Sequence, residues 1–248
     1  MGVSTAGAQE RATQAPAVEV VAPTPLPGLG VPKDKVPANV QTGDAEDLRN
    51  PGTMTLPDLM ERSFDSVNIN QSQGNPYQPD INFRGFTGSP LLGTAPGISV
   101  FQDGVRINEP FGDGVNWDLI PNPAIATITL MPGSNPVFGL NTLGGAISVT
   151  TKNGFDFPGF VAQGLGGSFR RAGGDFEYGG HGDRVGYYVT GNGFYERGWR
   201  DNTSTHIWQG FGKLSFRDRA TSADLSFTAA SNTLNGAQAI PVSFLDQN

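Results

Sequence analysis

Cysteine is absent from the 248 residues. That removes disulfide frameworks, thiolate zinc sites and cysteine nucleophiles together, and it fits an exported bacterial protein. Histidine is nearly absent. His181 and His206 are the only two and stand on separate β-like segments, which argues against a His-based triad or a zinc site. Basic charge is scarce, with 16 Lys+Arg against 23 Asp+Glu and a net charge of −7. A non-specific nucleic-acid binder needs a basic surface to displace counterions, so no nucleic-acid partner is expected. No run of about 18 apolar residues occurs, which argues against a transmembrane helix. A membrane is not thereby excluded, because strands that alternate between lipid and lumen leave a weak signal per segment. The mean hydropathy of −0.27 is compatible with such strands.

Catalytic signatures are missing too. There is no Gly-x-Ser-x-Gly elbow, no Walker loop and no dinucleotide fingerprint. Gly164–Gly167 is glycine-rich but lies in a strand-like run with no helix behind it. Asp103, Glu109, Asp113 and Asp118 form an acidic string around Phe111. Their spacing is too irregular for a calcium loop, and turn or N-cap roles suit them better. No catalytic residue, metal site or cofactor is expected.

What the chain does have is 35 glycines, about twice the usual share, and 19 prolines. Residues 1–37 open with Ala6-Gly7-Ala8, which has the small residues of a secretory cleavage site but lacks the charged and apolar regions that precede one. Pro16, Pro23, Pro25, Pro27, Pro32 and Pro37 then punctuate the segment. Each fixes φ and removes a donor, so an extended, exposed stretch is expected. Within it lies one β-prone run, Val18-Glu19-Val20-Val21-Ala22.

Residues 38–154 read as a compact α+β unit. Val36–Thr42 is a candidate first strand. Thr55-Leu56-Pro57-Asp58 has the form of a capping box, and Leu56, Leu59, Met60 and Phe64 follow at near-helical spacing. Ser66–Asn70 reads as a strand and Gln71–Asp80 as a loop. Ile98–Gln102 and Val105–Ile107 flank Asp103-Gly104, a strong hairpin signal because a type I′ turn needs φ > 0 at both central residues. Ile125–Met131 and Ala146–Thr151 alternate as strands do.

From 155 to 248 the pattern changes to segments of about ten residues broken by turns. They are Gly159–Phe169, Ala172–Gly180, Arg184–Glu196, Thr205–Arg217 and Ala223–Ser231. Tyr187, Val189, Gly191, Gly193 and Tyr195 share one face; Trp208, Gly210, Gly212, Leu214 and Phe216 share another. Phe169, Tyr195, Trp199 and Trp208 lie near segment ends, where membrane-interface girdles place aromatics. Periodicity alone does not separate a membrane barrel from a soluble β-sandwich.

Several of these segments, taken in order, resemble the TonB-dependent outer-membrane receptors. Val18–Ala22 looks like the TonB box. Leu56–Met60 sits where the family has its first plug helix. Asn82-Phe83-Arg84-Gly85-Phe86 looks like its Arg-Gly-Phe strand, and Gln102-Asp103-Gly104-Val105 like its Asp-Gly-Val hairpin. Pro132-Gly133-Ser134, Phe138-Gly139, Leu143-Gly144-Gly145-Ala146-Ile147 and Thr151-Lys152 look like the closing signature. Each is weak alone; the ordered set is specific.

The resemblance implies an α+β plug domain, a short mixed sheet with small helices, followed by antiparallel strands of an incomplete transmembrane β-barrel. It divides the chain into 1–37 with the TonB box, the plug at 38–154 and the first barrel strands at 155–248. Arg84, Gly85, Asp103, Gly104, Gly133, Gly144 and Gly145 would be the plug's structural motif. Three loops, Gln71–Tyr77, Thr87–Ala95 and Glu109–Gly114, would face the ligand through Gln73, Asn75, Tyr77, Ser89, Leu91, Glu109 and Phe111. Tyr77 and Phe111 are expected to offer exposed aromatic surface. Arg84, Arg106 and Lys152 are expected to pair with carboxylates inside the plug or on the wall. The implied protein is a transporter and not an enzyme. It would reside in the bacterial outer membrane among its lipids, without a cofactor, and would take up a scarce ligand, a ferric siderophore above all, with TonB as partner.

Two departures stand out. Ser63-Phe64-Asp65-Ser66-Val67 occupies the place of the family's Pro-Gly-Val. And only 94 residues follow position 154, whereas plugged barrels have about 22 strands of roughly 9–11 residues each, so an N-terminal piece is expected. The alternative reading is a secreted β-rich adhesion or carbohydrate-binding protein.

Overall fold

The computed structural model describes residues 20–21, 31–49, 55–236 and 243. Of the proposed TonB box, Val18, Glu19 and Ala22 lie outside the described residues. Val20–Val21 forms β1, paired antiparallel with β2, Val31–Pro32. The expected strand at 36–42 starts late: β3 is Gln41–Asp44. Pro37 lacks an amide donor, and the stretch before β3 folds on itself instead, with Ala38 N donating to Val36 O and Val40 N to Ala38 O.

Two short helices follow, α1 at Ala45–Leu48 and α2 at Leu56–Ser63. The reciprocal capping box forms on α1, where Asp44 accepts from the amides of Glu46 and Asp47 while Asp47 accepts from that of Asp44. On α2, Thr55 accepts from the Asp58 amide at 3.3 Å, and Asn122 Oδ1 takes the Leu56 amide. Leu56, Leu59 and Met60 turn one face of α2 into the core, as their spacing predicts.

The strands β4 (Val67–Asn70), β5 (Asp80–Phe83) and β6 (Phe86–Gly88) make a three-stranded antiparallel meander. Here Arg84-Gly85 is a turn and not part of a strand, with φ of 51° and 87°. A five-stranded sheet takes β7 (Ile98–Gln102), β8 (Val105–Arg106), β9 (Ile125–Pro132) and β10 (Gly145–Thr151) together with β3, in the order β3-β9-β10-β7-β8. Only β10 and β7 run parallel; the other pairs are antiparallel. Asp103 and Gly104 have φ of 48° and 83°, the positive pair that a type I′ hairpin demands. One buried cluster, running in sequence from Leu56 to Val149, joins α2, the meander and this sheet.

The remaining strands form one sheet in chain order: β11 (Gly159–Gly167), β12 (Arg171–His181), β13 (Val185–Glu196), β14 (Thr205–Arg217) and β15 (Ser222–Ala230), with β16 (Thr233–Leu234) pairing on β14. Every pairing is antiparallel. The register sorts the side chains cleanly. One face carries Phe160, Phe176, Tyr178, Val185, Tyr187, Val189, Trp208, Leu214, Phe216, Leu225 and Phe227, all exposed, with half-buried Tyr195, exposed His206, and glycines and alanines. No Asp, Glu, Lys or Arg of β11–β15 lies on it. Arg171, Asp175, Glu177, Glu196, Lys213, Arg217 and Asp224 are all on the other face, which rests on the N-terminal unit. A soluble sandwich buries its apolar face and wets its polar one. Here the order is reversed, as in a sheet that meets lipid outside and a polar lumen inside.

Candidate functional site

The three loops named from the sequence have different fates. Loop 71–77 is pinned to the sheet. Tyr77 is buried, its ring centroid 5.1 Å from that of Phe194 on β13, and its amide donates to Asn75 Oδ1 at 2.8 Å. Burial pushes the Tyr77 hydroxyl pKa up. Asn75 is buried and Gln73 half-buried. The expectation of an exposed Tyr77 therefore fails: Phe194 and Ile207 offer an apolar notch on the sheet's inner face, and the ring fills it. Ser89 is buried as well. Its hydroxyl donates to Asp80 and accepts from the Leu91 amide, so it shapes the start of the second loop. Leu91 is half-buried.

The third loop does project. Phe111 is 80% exposed. Glu109, also exposed, accepts from Asn116 Nδ2 at 2.6 Å. Asp113 accepts from Arg106 at 2.9 Å and from Asn141. Arg106 reaches on to Leu140 O at 3.0 Å. These bonds tie loop 109–114 to loop 139–143, and the Leu92 side chain lies over Gly112. Leu92, Phe111 and Leu140 thus give the unit an exposed apolar apex on a braced polar base.

The glycines of the proposed motif are placed by backbone need. Gly85, Gly104, Gly133 and Gly145 have positive φ, where L side chains are strained. Gly144 lies under the Phe86 side chain and Gly145 against the Met131 carbonyl, with no space for a Cβ. Arg84 is exposed and has its guanidinium over the Phe83 ring at 5.0 Å. Its expected carboxylate is not among the ion pairs of the described residues.

Arg106 and Lys152 do find carboxylates, Arg106 within the unit at Asp113 and Lys152 on the sheet, but the partners across unit and sheet were not read from the sequence. Lys152 Nζ lies 2.6 Å from Glu177 Oε2 on β12. Glu177 also accepts from Arg49 at 3.1 Å and from the Tyr188 hydroxyl at 2.7 Å. Burial lowers the Lys152 pKa, against the pull of Glu177. Two strands away, Lys213 Nζ lies 3.1 Å from Asp103 Oδ2 and 3.0 Å from Thr151 Oγ1. Asp103 takes the Thr151 amide at 2.9 Å too. Asp118, expected in a turn, is buried within the 3-10 turn Trp117–Leu119 and accepts from Asn232 at 3.0 Å, while its carbonyl accepts from Gln209. A further signal for these pairs is that the charges within the strands of 171–224 all share one face. Among the described residues, no three His, Cys, Asp or Glu side chains are grouped to hold a metal ion.

A polar-floored sheet, apolar outside, seated on a small α+β unit is the layout of an outer-membrane barrel wall and its plug. Residues 32–146 match the family described as TonB-dependent Receptor Plug Domain. Residues 32–146 are thus a plug domain of the TonB-dependent receptor kind, and the antiparallel sheet that follows is unclosed, consistent with part of a barrel. Solved structures share the fold. BauA, the ferric preacinetobactin receptor from Acinetobacter baumannii, superposes with a TM-score of 0.65 at 14% identity, over 82% of this chain and 29% of that one. FpvA from Pseudomonas aeruginosa PAO1, bound to pyoverdine, gives 0.63 at 14%, over 84% and 31%. The copper transporter OprC gives 0.63 at 15%, over 80% and 32%. At such identities the likeness is one of fold. This chain spans under a third of the length of each. No curated protein matches it.

Proposed function

We propose that this chain works in the energised uptake of a scarce ligand across the bacterial outer membrane, with TonB as the coupling partner. In this reading residues 1–37 carry the coupling segment, 38–154 gate the lumen, and 155–248 begin the barrel. The observation that carries it is the sorting of side chains in β11–β15, with lipid-compatible groups outside and every charge turned toward the plug. That sorting disfavours an adhesion or carbohydrate-binding sandwich.

The ligand is a ferric siderophore in this proposal. Of the similar structures, one is described as a ferric preacinetobactin receptor, one as bound to pyoverdine, one as a siderophore receptor and one as a copper transporter. The apex chemistry favours a chelate over a bare ion. A naked soft metal asks for Cys, Met or His, and loops 87–95, 109–114 and 139–143 contain none. Phe111 and Glu109 instead offer an aromatic face beside one carboxylate, suited to a bulky organic shell. Ligand bound there shifts the plug only if it binds two plug states unequally. The shift frees Val18–Ala22 for strand addition to TonB, which needs open backbone donors and acceptors. Pairing of β1 over two residues with β2 is light enough to exchange.

The test is Val20→Pro in the intact receptor. Proline removes a donor that strand addition uses, so uptake of labelled ferric chelate should be lost while binding to cells persists. Normal uptake would overturn the assignment of the coupling strand.

A further inference from the structure

Two ion pairs with buried lysines join plug and wall, and they run in opposite directions; Asp103 is half-buried, and Asp224 of β15 stands 4.0 Å from Lys213 as well. In one, the lysine belongs to the plug: Lys152 meets Glu177 of β12. In the other, the lysine belongs to the wall: Lys213 of β14 meets Asp103 of the plug hairpin. The two lysine side chains are only 2% and 5% exposed. Tyr188 stands between them on β13, directly opposite Lys213 in register, and donates to Glu177. On the plug side the partners are consecutive, with Thr151 touching Lys213 and Lys152 touching Glu177. Arg49 and Asp175 complete the charged groups around Glu177.

A buried ion pair is a poor source of stability, since desolvation offsets most of the attraction and apolar packing does as well. What it supplies is intolerance of mismatch: a buried charge without its partner is costly. We propose that the two pairs are a polarity key. They fix the rotational setting of the plug in the barrel and keep its floor sealed to β12–β14 while the ligand-facing loops move. The wall strands concerned are two apart, about 10 Å at the usual strand spacing. A plug turned by that distance would bring Lys152 toward Lys213, or Asp103 toward Glu177. Like charges would then share a dry site. With both pairs of one polarity, the same turn would still match.

This inference rests on the reading of the chain as a plugged barrel, and its readout does not depend on the cargo. Cells carrying the full-length receptor are challenged with a glycopeptide antibiotic too large for ordinary outer-membrane pores. Heat-modifiable mobility reports that the barrel is assembled. Glu177→Lys should raise sensitivity by about tenfold or more, as expected for a broken buried pair, and Lys152→Glu added to it should restore resistance. The decisive variant inverts the wall alone, Glu177→Lys with Lys213→Glu. It conserves the wall's composition and net charge, and should leak. Adding Lys152→Glu and Asp103→Asn, which suits the left-handed turn, should reseal it. An assembled wall-inverted receptor with wild-type resistance, or no resealing by the plug changes, overturns the key. If reversed variants do not assemble, Glu177→Gln decides: raised sensitivity supports the key and unchanged sensitivity overturns it. A wild-type chain that gives no heat-modifiable band would instead refute the barrel reading beneath it.

Discussion

Gly145 and Gly85 both have positive φ, at 144° and 87°, yet they answer to different constraints. A Cβ on Gly85 meets nothing within 4 Å, whereas on Gly145 it strikes the Met131 carbonyl. Gly85→Ala should therefore cost only the backbone term, about 1 kcal/mol. Gly145→Ala adds overpacking of rigid backbone and should cost about 3 kcal/mol. Thermal unfolding of the two purified variants compares them directly; equal losses would contradict the packing account. At the proposed ligand-facing apex, Phe111→Ala should weaken ligand binding by about tenfold, the loss of one aromatic anchor, without lowering the melting temperature. Titration of labelled ferric chelate checks this. An unchanged affinity excludes contact by Phe111. The pair Tyr77 and Phe111 marks the limit of legibility at this scale. Both are aromatics in polar loops, and nothing local separates them. Phe194, 117 residues further along the chain than Tyr77, decides that Tyr77 is buried.

Elements were legible where local pattern and local chemistry agree. Helix α2, the Asp103-Gly104 hairpin and the five strands of the wall lie where spacing and turn residues put them, within one or two residues at their ends. The 36–42 segment and Arg84-Gly85 differ because backbone bonding overrode composition: one folds on itself at Pro37, the other turns. What periodicity left open was which face of β11–β15 meets water. The register answers it, and the answer is testable. Val189 lies mid-strand on the charge-free face of β13. Val189→Arg should cost about 2–4 kcal/mol, as a charge near the bilayer midplane does. Assembly into lipid vesicles, followed by heat-modifiable mobility, should show the barrel band lost or sharply reduced. Normal assembly would argue against a lipid-facing sheet.

For the whole molecule the expectation is an asymmetry between its two parts. The main apolar cluster is supplied entirely from within 38–154, so that fragment should fold alone into a soluble, if marginal, domain. Residues 155–248 present an exposed apolar face, and within the sheet β11 and β15 each pair on one side only. Unpaired edges and apolar surface favour association, so this fragment should aggregate in plain buffer and need detergent. Circular dichroism and sedimentation of the separate fragments measure both; a monomeric, cooperatively unfolding 155–248 would contradict the wall assignment.

The order of motifs, the glycine-bearing turns and the alternation of the later strands are written locally, because φ preferences and two-residue periodicity act over a few neighbours. They were enough for the family and the fold class. The seating of plug on wall was not written there. Lys152 finds Glu177, Asp103 finds Lys213, and Tyr77 finds Phe194 across 25, 110 and 117 positions. A charge in a strand carries no mark of its partner. Only the sheet's register and its packing against the plug bring such residues within a few ångströms, and burial then makes each pairing matter.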